Sequence, residues 1–177
     1  MGSLKSEMAK LKGVFNHEFA EVKADWTAMR RDLAEIKGTQ YESNIKDYAS
    51  AIFGRIMRRS HDARNEVGLL LEEAEENGLI TEHDHDLVLA LDLLWGGKQK
   101  GTKADMVLAV EVSWRSEETD IQRAVERGIT LRKVGLLAYP VVVGKVWDEA
   151  IVKLAYQQKV VLVQDKKIDL QSWDQAL

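Results

Sequence analysis

Asp92 and Glu111 are the residues whose setting most calls for a chemical explanation. Asp92 is the one charged residue in the run Leu87 to Trp95, LVLALDLLW, and Glu111 is the one charged residue in Met106 to Val112, MVLAVEV. Runs this apolar predict two strands buried on both faces. A carboxylate there is costly unless it is paired, protonated or bound to a cation. Two of them, each near the end of one arm of a hairpin, predict a shared metal site. The loop between the arms, GGKQKGTKAD, is basic. Lys98, Lys100 and Lys103, with Arg55, Arg58, Arg59 and Arg115, are the candidates for a phosphate-binding surface; the alternative is that they are ordinary solvated charges. His83, Asp84, His85 and Asp86 have the composition of metal ligands. Adjacent residues on a turn point in different directions, however, and no spaced partner completes a set. They read as a solvated acidic turn capped by Thr81.

The elements around this hairpin follow from periodicity. Residues 4 to 37 contain no proline and place Leu4, Met8, Leu11, Phe15, Phe19, Val22, Trp26, Met29, Leu33 and Ile36 at steps of 4-3-4-4-3-4-3-4-3. That is a heptad seam with one stutter, at Phe15–Phe19. It predicts a coiled-coil arm that pairs with a copy of itself, a dimer by default; the alternative is a helix folded back on its own domain. Gly38-Thr39 reads as the joint, which gives an oligomerisation helix over 1–38 and a globular domain over 39–177. Gln40 to Arg59 is expected to be a domain helix with a broad apolar face from Tyr41 to Met57. Glu42 lies near its expected start, where the helix dipole alone would account for a carboxylate.

A second helix is expected over Ala63 to Asn77, with Gly78 as its stop. After the hairpin, Ser116 or Thr119 can cap a helix to about Val134. Leu136 to Val143 follows as a strand containing the only proline, Pro140, expected at an edge or a strand start. A helix over Trp147 to Gln157 and a strand over Val160 to Val163 complete the alternation. This order predicts an α/β fold with parallel crossovers and helices covering a sheet. Lys166 to Leu177 reads as a tail packing through Ile168, Leu170 and Trp173.

Composition bounds the rest. The 177-residue chain has a formal charge of −4, distributed unevenly. Nine acidic residues and one basic residue lie between His61 and Asp86, a local −8, so the remainder sums to +4 (−4 minus −8). Net acidity therefore does not exclude nucleic acid, because phosphate binding depends on a local basic surface. No window holds the long uncharged run of a membrane span, and no secretion signal is visible. With no cysteine, there is neither a disulfide nor a thiolate metal site. The expectation is a cytoplasmic protein with no membrane partner.

The order of these blocks resembles the PD-(D/E)XK nuclease superfamily. It is most similar to bacterial members that carry an N-terminal coiled coil. The blocks are Lys37-Gly38 before Glu42, Phe53-Gly54-Arg55, the strand Ala90-Leu91-Asp92, and Val110-Glu111-Val112-Ser113. The resemblance covers nearly the whole chain and implies a restriction-endonuclease-like mixed sheet flanked by helices. It implies that Asp92 and Glu111 hold Mg²⁺ or Mn²⁺, with the Val112 carbonyl as a third ligand and Glu42 as a helix-borne accessory. A divalent ion held by carboxylates lowers the pKa of bound water and stabilises charge on phosphate.

The chain departs from that pattern in two places. Ser113 stands where the superfamily has a lysine, and a serine carries no charge beside the phosphate. Lys98, Lys100 or Lys103 reaching back from the hairpin, or Gln122 from the next helix, are the candidates to replace it. The superfamily's usual first strand is also not visible. Three readings result: a Mg²⁺-dependent nuclease, a catalytically degenerate nuclease-fold module that serves assembly or partner binding, or two core carboxylates each paired with an arginine.

Overall fold

A computed structural model describes residues 2–177 of the chain. Its elements, in order, are α1 (Gly2–Phe53), β1 (Met57–Asp62), α2 (Arg64–Glu76), α3 (Glu82–Leu89), β2 (Leu93–Gln99), β3 (Asp105–Arg115), α4 (Glu118–Lys133), β4 (Ala138–Val146), α5 (Glu149–Gln157), β5 (Val161–Gln164), β6 (Lys167–Ile168) and α6 (Leu170–Ala176). The chain divides into two compact units, one ending at Thr39 and the other spanning Gln40–Leu177. Among the described residues no helix is long and apolar enough to cross a membrane.

In the first unit α1 is unbroken, as a proline-free run of good helix formers should be. Its ten seam residues are 54–69% exposed. The second unit is an α/β fold around a six-stranded mixed sheet in the order β1-β2-β3-β4-β5-β6. β1, β2 and β3 form an antiparallel meander; β3, β4 and β5 are parallel, joined through α4 and α5; β6 returns antiparallel to β5. On one face, Tyr41, Ile45, Ala49, Ile52 and Phe53 of α1 pack with Trp173 of α6 against Leu93, Leu108, Val110 and Val141. On the other face, α2, α3 and α4 cover Leu94, Val107 and Ala109, while α4 and α5 cover Val142 and Leu162. Successive residues of the central strands alternate between these two cores, so Leu93–Trp95, Met106–Val110 and Ala138–Val143 are apolar at every position.

Several expectations are corrected. α1 does not break at Gly38-Thr39, so Glu42 is a mid-helix residue and the helix dipole does not account for it. The domain helix does not reach Arg59. It ends at Phe53, and Met57–Asp62 forms a first strand after all. That strand was hidden because MRRSHD is a polar edge with no apolar alternation. It also bulges between Arg58 and His61, where Arg59 has a φ of 53°. The TEHDHD run is the start of a helix, not a turn. The Thr81 hydroxyl accepts from the Asp84 N–H and the Asp84 carboxylate accepts from the Thr81 N–H, a reciprocal cap. Leu87 to Leu89 therefore ends α3, and Ala90 to Asp92 leads into β2, which begins only at Leu93, so Asp92 precedes the strand expected to contain it.

Of the edge or strand start expected for Pro140, the edge is not found: β4 is interior, and Pro140 is its third residue. The Val107 N–H donates to the Leu137 carbonyl, so odd-numbered residues of this stretch of β4 face β3. The Pro140 nitrogen consequently faces the other way, one residue before pairing with β5 begins at Val141. No ladder bond is lost there.

The crossing from β3 to α4 depends on one close approach. A Cβ at Gly144 would lie 1.9 Å from the Ser116 hydroxyl oxygen and 3.1 Å from the Trp147 ring nitrogen. Ser116 is buried, so its side chain must turn away or the two segments must shift to make room. Gly144→Ala is expected to destabilise the fold by about 1–3 kcal/mol. This would appear as a lower urea midpoint at unchanged slope; an unchanged midpoint would show the approach to be loose.

Candidate functional site

Asp92 and Glu111 meet at the end of the β2–β3 ladder. The last registered pair is Leu93 with Val110, and one step further in the antiparallel register stands Asp92 opposite Glu111. β2 has already ended at that level. With no strand carbonyl left to receive it, the Val112 N–H donates instead to the Asp92 carboxylate at 2.7 Å. Asp92 thus finishes the ladder with its side chain, which fixes one carboxylate oxygen beside β3.

Glu111 is 6% exposed and Arg127 of α4 is 8% exposed. The Arg127 Nη1 lies 3.8 Å from the Glu111 carboxylate. That is too long for a hydrogen bond, and this nitrogen, though buried, has no hydrogen-bond partner. The Arg127 Nε donates to the Leu87 carbonyl at 2.8 Å, which holds the guanidinium in place. Glu111 is therefore only partly neutralised. Arg64, the guanidinium nearest the Asp92 backbone, donates to the carbonyls of Leu89, Leu91 and Asp92 and not to the carboxylate.

Burial pushes the Glu111 carboxyl up to about 7, and the Asp92 charge adds to the shift; Arg127 and Arg123 oppose it, while Asp120 reinforces it. Asp92 is also raised, chiefly by burial. The Val112 hydrogen bond opposes that rise, Glu42 adds to it, Lys46 opposes it and Asp120 adds to it. Two carboxyls raised by burial, one of them raised further by the charge of the other, are what a divalent cation relieves.

Two neighbours of this pair escaped the sequence reading. Lys46, one turn after Glu42 on α1, pairs with it at 2.5 Å, and its charge reaches Asp92. The spacing Glu42–Lys46 was the available signal, since residues four apart share a helix face. Asp120, buried in the first turn of α4, accepts from the Glu117 N–H at 2.8 Å. Arg123 and Arg127 lie three and seven residues further along the same helix face.

Of the other expected residues, Ser113 stays beside Glu111 on β3, while Gln122, the hairpin lysines and Arg115 separate from the pair. Ser113, half-buried, follows Glu111 by two positions on β3. Gln122 is exposed, donates to Glu118 at 3.1 Å and lines a groove with Val125, Leu154 and Gln158. Its contacts run along α4 and to α5, and it does not reach Asp92 or Glu111. Nor do the hairpin lysines. Lys98 is six residues from Asp92 along β2 and is paired with Asp105 at 2.7 Å, which puts it roughly 20 Å from the carboxylates. Lys100 donates to the Arg55 carbonyl at 2.6 Å. Together with Arg58, Arg59 and Lys103, these lysines line a cavity of about 620 Å³ at the hairpin tip. A neighbouring cavity of about 340 Å³ is lined by His61, Gly97 and Leu136 among others; neither cavity is lined by Asp92 or Glu111. Arg115 is exposed and bridges to Asp148 at 3.1 Å.

Among the described residues no three His, Asp or Glu side chains are arranged to hold a metal ion. Two carboxylates fit magnesium, which commonly takes one or two from the protein and completes its shell with water and phosphate oxygens. They do not fit a zinc or calcium cage. Compared with family models, with curated proteins and with solved structures, the chain matches none.

The raised Glu111 pKa has a definite sign for stability. Between its ordinary value of 4.5 and about 7, the folded chain keeps a proton that the unfolded chain has lost. Stability should therefore fall as pH rises through that window and level off above it. In EDTA, Glu111→Gln is expected to flatten the fall and to raise the urea midpoint at pH 8 relative to wild type. Parallel pH profiles for the two proteins would contradict the shift.

Proposed function

We propose that Gln40–Leu177 is a PD-(D/E)XK-like nuclease domain that hydrolyses phosphodiester bonds in nucleic acid with Mg²⁺ or Mn²⁺. The observation that carries the reading is the meeting of Asp92 and Glu111 at the ladder end, where both carboxyls are raised by burial and the Asp92 charge raises Glu111 further. In this reading Asp92, Glu111 and the Val112 carbonyl hold the ion. When bound, it supplies a more acidic water and stabilises charge on the phosphate. The free oxygen of Asp92 is aimed by the Val112 hydrogen bond.

Lys46 takes the electrostatic part that Ser113 cannot. It is held by Glu42, is partly open to solvent, and bears a charge that favours the ionised form of Asp92. Arg123 and Arg127 add positive charge on the α4 side. The basic hairpin tip, remote from the reacting centre, is assigned to binding of the polyanion away from the scissile bond. The same reading has the chain self-associate through residues 4–37. A second reading, a catalytically degenerate module kept for assembly, is favoured by one observation: Arg127 already stands 3.8 Å from Glu111.

The test is incubation of the full chain with single- and double-stranded DNA and with RNA, in Mg²⁺ or Mn²⁺ and in EDTA. Metal-dependent cleavage is expected, abolished in Asp92→Asn and in Glu111→Gln. Lys46→Met should lower the rate by about 100-fold or more, the usual cost of removing one preorganised charge or donor. Cleavage that persists in Asp92→Asn would sink the site assignment. No cleavage, together with no Mg²⁺-induced rise in Tm, would favour the degenerate module.

A further inference from the structure

The apolar seam of α1 is flanked by charges in an order that specifies how two copies meet. After the stutter, Phe19, Trp26 and Leu33 occupy the first core position of successive heptads, and Val22, Met29 and Ile36 the second. The residues just before the first core position are Glu18, Asp25 and Asp32, all acidic. Those just after the second are Lys23, Arg30 and Lys37, all basic. These two rows line opposite edges of the seam. Before the stutter, Glu7 and Lys12 repeat the pattern.

Pairing within one helix does not explain the charges from Glu18 to Asp32. Neighbours on a helix surface lie three or four residues apart. At those distances Glu18, Asp25, Asp32, Lys23 and Arg30 have no oppositely charged residue on either side. In two parallel, in-register helices, however, the acidic position of one heptad faces the basic position five residues later on the other chain. Glu7 then meets Lys12, Glu18 meets Lys23, Asp25 meets Arg30 and Asp32 meets Lys37, and each crossing occurs twice by symmetry. In antiparallel helices, acidic rows face acidic rows and basic rows face basic rows. Every crossing is attractive in one orientation and repulsive in the other.

We infer that α1 is a parallel, in-register, two-stranded coiled coil whose partner is a second copy of this chain. It deepens the self-association reading and is independent of whether the domain cleaves nucleic acid. The drive is burial of seam side chains now 54–69% exposed, including the Phe15 and Phe19 rings, stacked at 6.2 Å across the stutter. The charges add little affinity, because exposed pairs are weak; they select orientation by penalising the alternative. Strand number follows from the same rows. After the stutter, a seam of core positions alone, closed on each edge by full charge, is the narrow stripe of two strands; three or more would bury those flanks. Because α1 leads directly into Gln40–Leu177, parallel pairing brings both copies of that unit to the same end of the paired helices.

The chain has no native cysteine, so orientation can be read by cross-linking the full-length protein. Sedimentation equilibrium should give twice the 20.0 kDa chain mass. Leu4→Cys and Ile36→Cys should each oxidise to a dimer with itself, and an equilibrated mixture of the two should give no mixed product. At low salt, where charges are least screened, the double change Lys23→Glu and Arg30→Glu should weaken association tenfold or more. Adding Glu18→Lys and Asp25→Lys should restore it. Mixed cross-links only, or charge variants without effect, would overturn the parallel arrangement while leaving self-association standing. A three-chain mass would overturn the strand number, and a monomer at high concentration would end both.

Discussion

A β-ladder that ends with one N–H unpaired must satisfy that group from elsewhere, and in this protein the Asp92 carboxylate does it for Val112. The arrangement draws a charge into the margin of an apolar core and brings it beside Glu111. Left alone, two such carboxylates would share a proton or lose their charge. They are kept near ionisation by a set of partial compensations: one backbone N–H, the charge of Lys46 from one side of the sheet, and Arg127 and Arg123 from the other. None of these is a full ion pair with either acid. The geometry stays poised because each compensation is incomplete.

This balance is possible only at a strand end. In mid-sheet, α1 and α4 are separated by the full thickness of the β-layer and their side chains enter different cores. Where β2 runs out, side chains from both helices influence the same two acids. The long β3, which continues past the end of β2 to Arg115, carries Glu111 into that margin. Parallel pairing with β4 keeps this extension rigid, through registered partners as far as Val146. An acidic pair placed here is carried on paired strands yet lies at the margin of the sheet.

The division of the chain into a helical arm and a globular unit separates two kinds of information. In the globular unit, apolar runs are spent on burial and leave a few acids to be explained. In the arm, apolar residues are narrow and regular, and the charges beside them carry the pattern. The same residue types therefore mean different things: a glutamate in β3 is buried and costly, whereas a glutamate beside the α1 seam is exposed and belongs to a repeating row.

Periodicity and composition by themselves determined the α/β class, the arm, the hairpin and the two acids in it, because each depends on the spacing of apolar residues along one segment. Even the cap of α3 was half legible, since Thr81 was already marked as a capping residue. What failed were features decided by neighbours distant in sequence. β1 is a strand because β2 offers it an edge, not because MRRSHD favours one. Pro140 is tolerated because β5 starts one residue too late to need its nitrogen. Lys46, Asp120, Arg123 and Arg127 gather about the acids because α1 and α4 cover opposite faces of the sheet near one strand end. The hairpin lysines fall away because an extended strand carries them about 3.4 Å further with every residue. Tertiary structure decided these points because charges act through space, and only folding sets the distances between them.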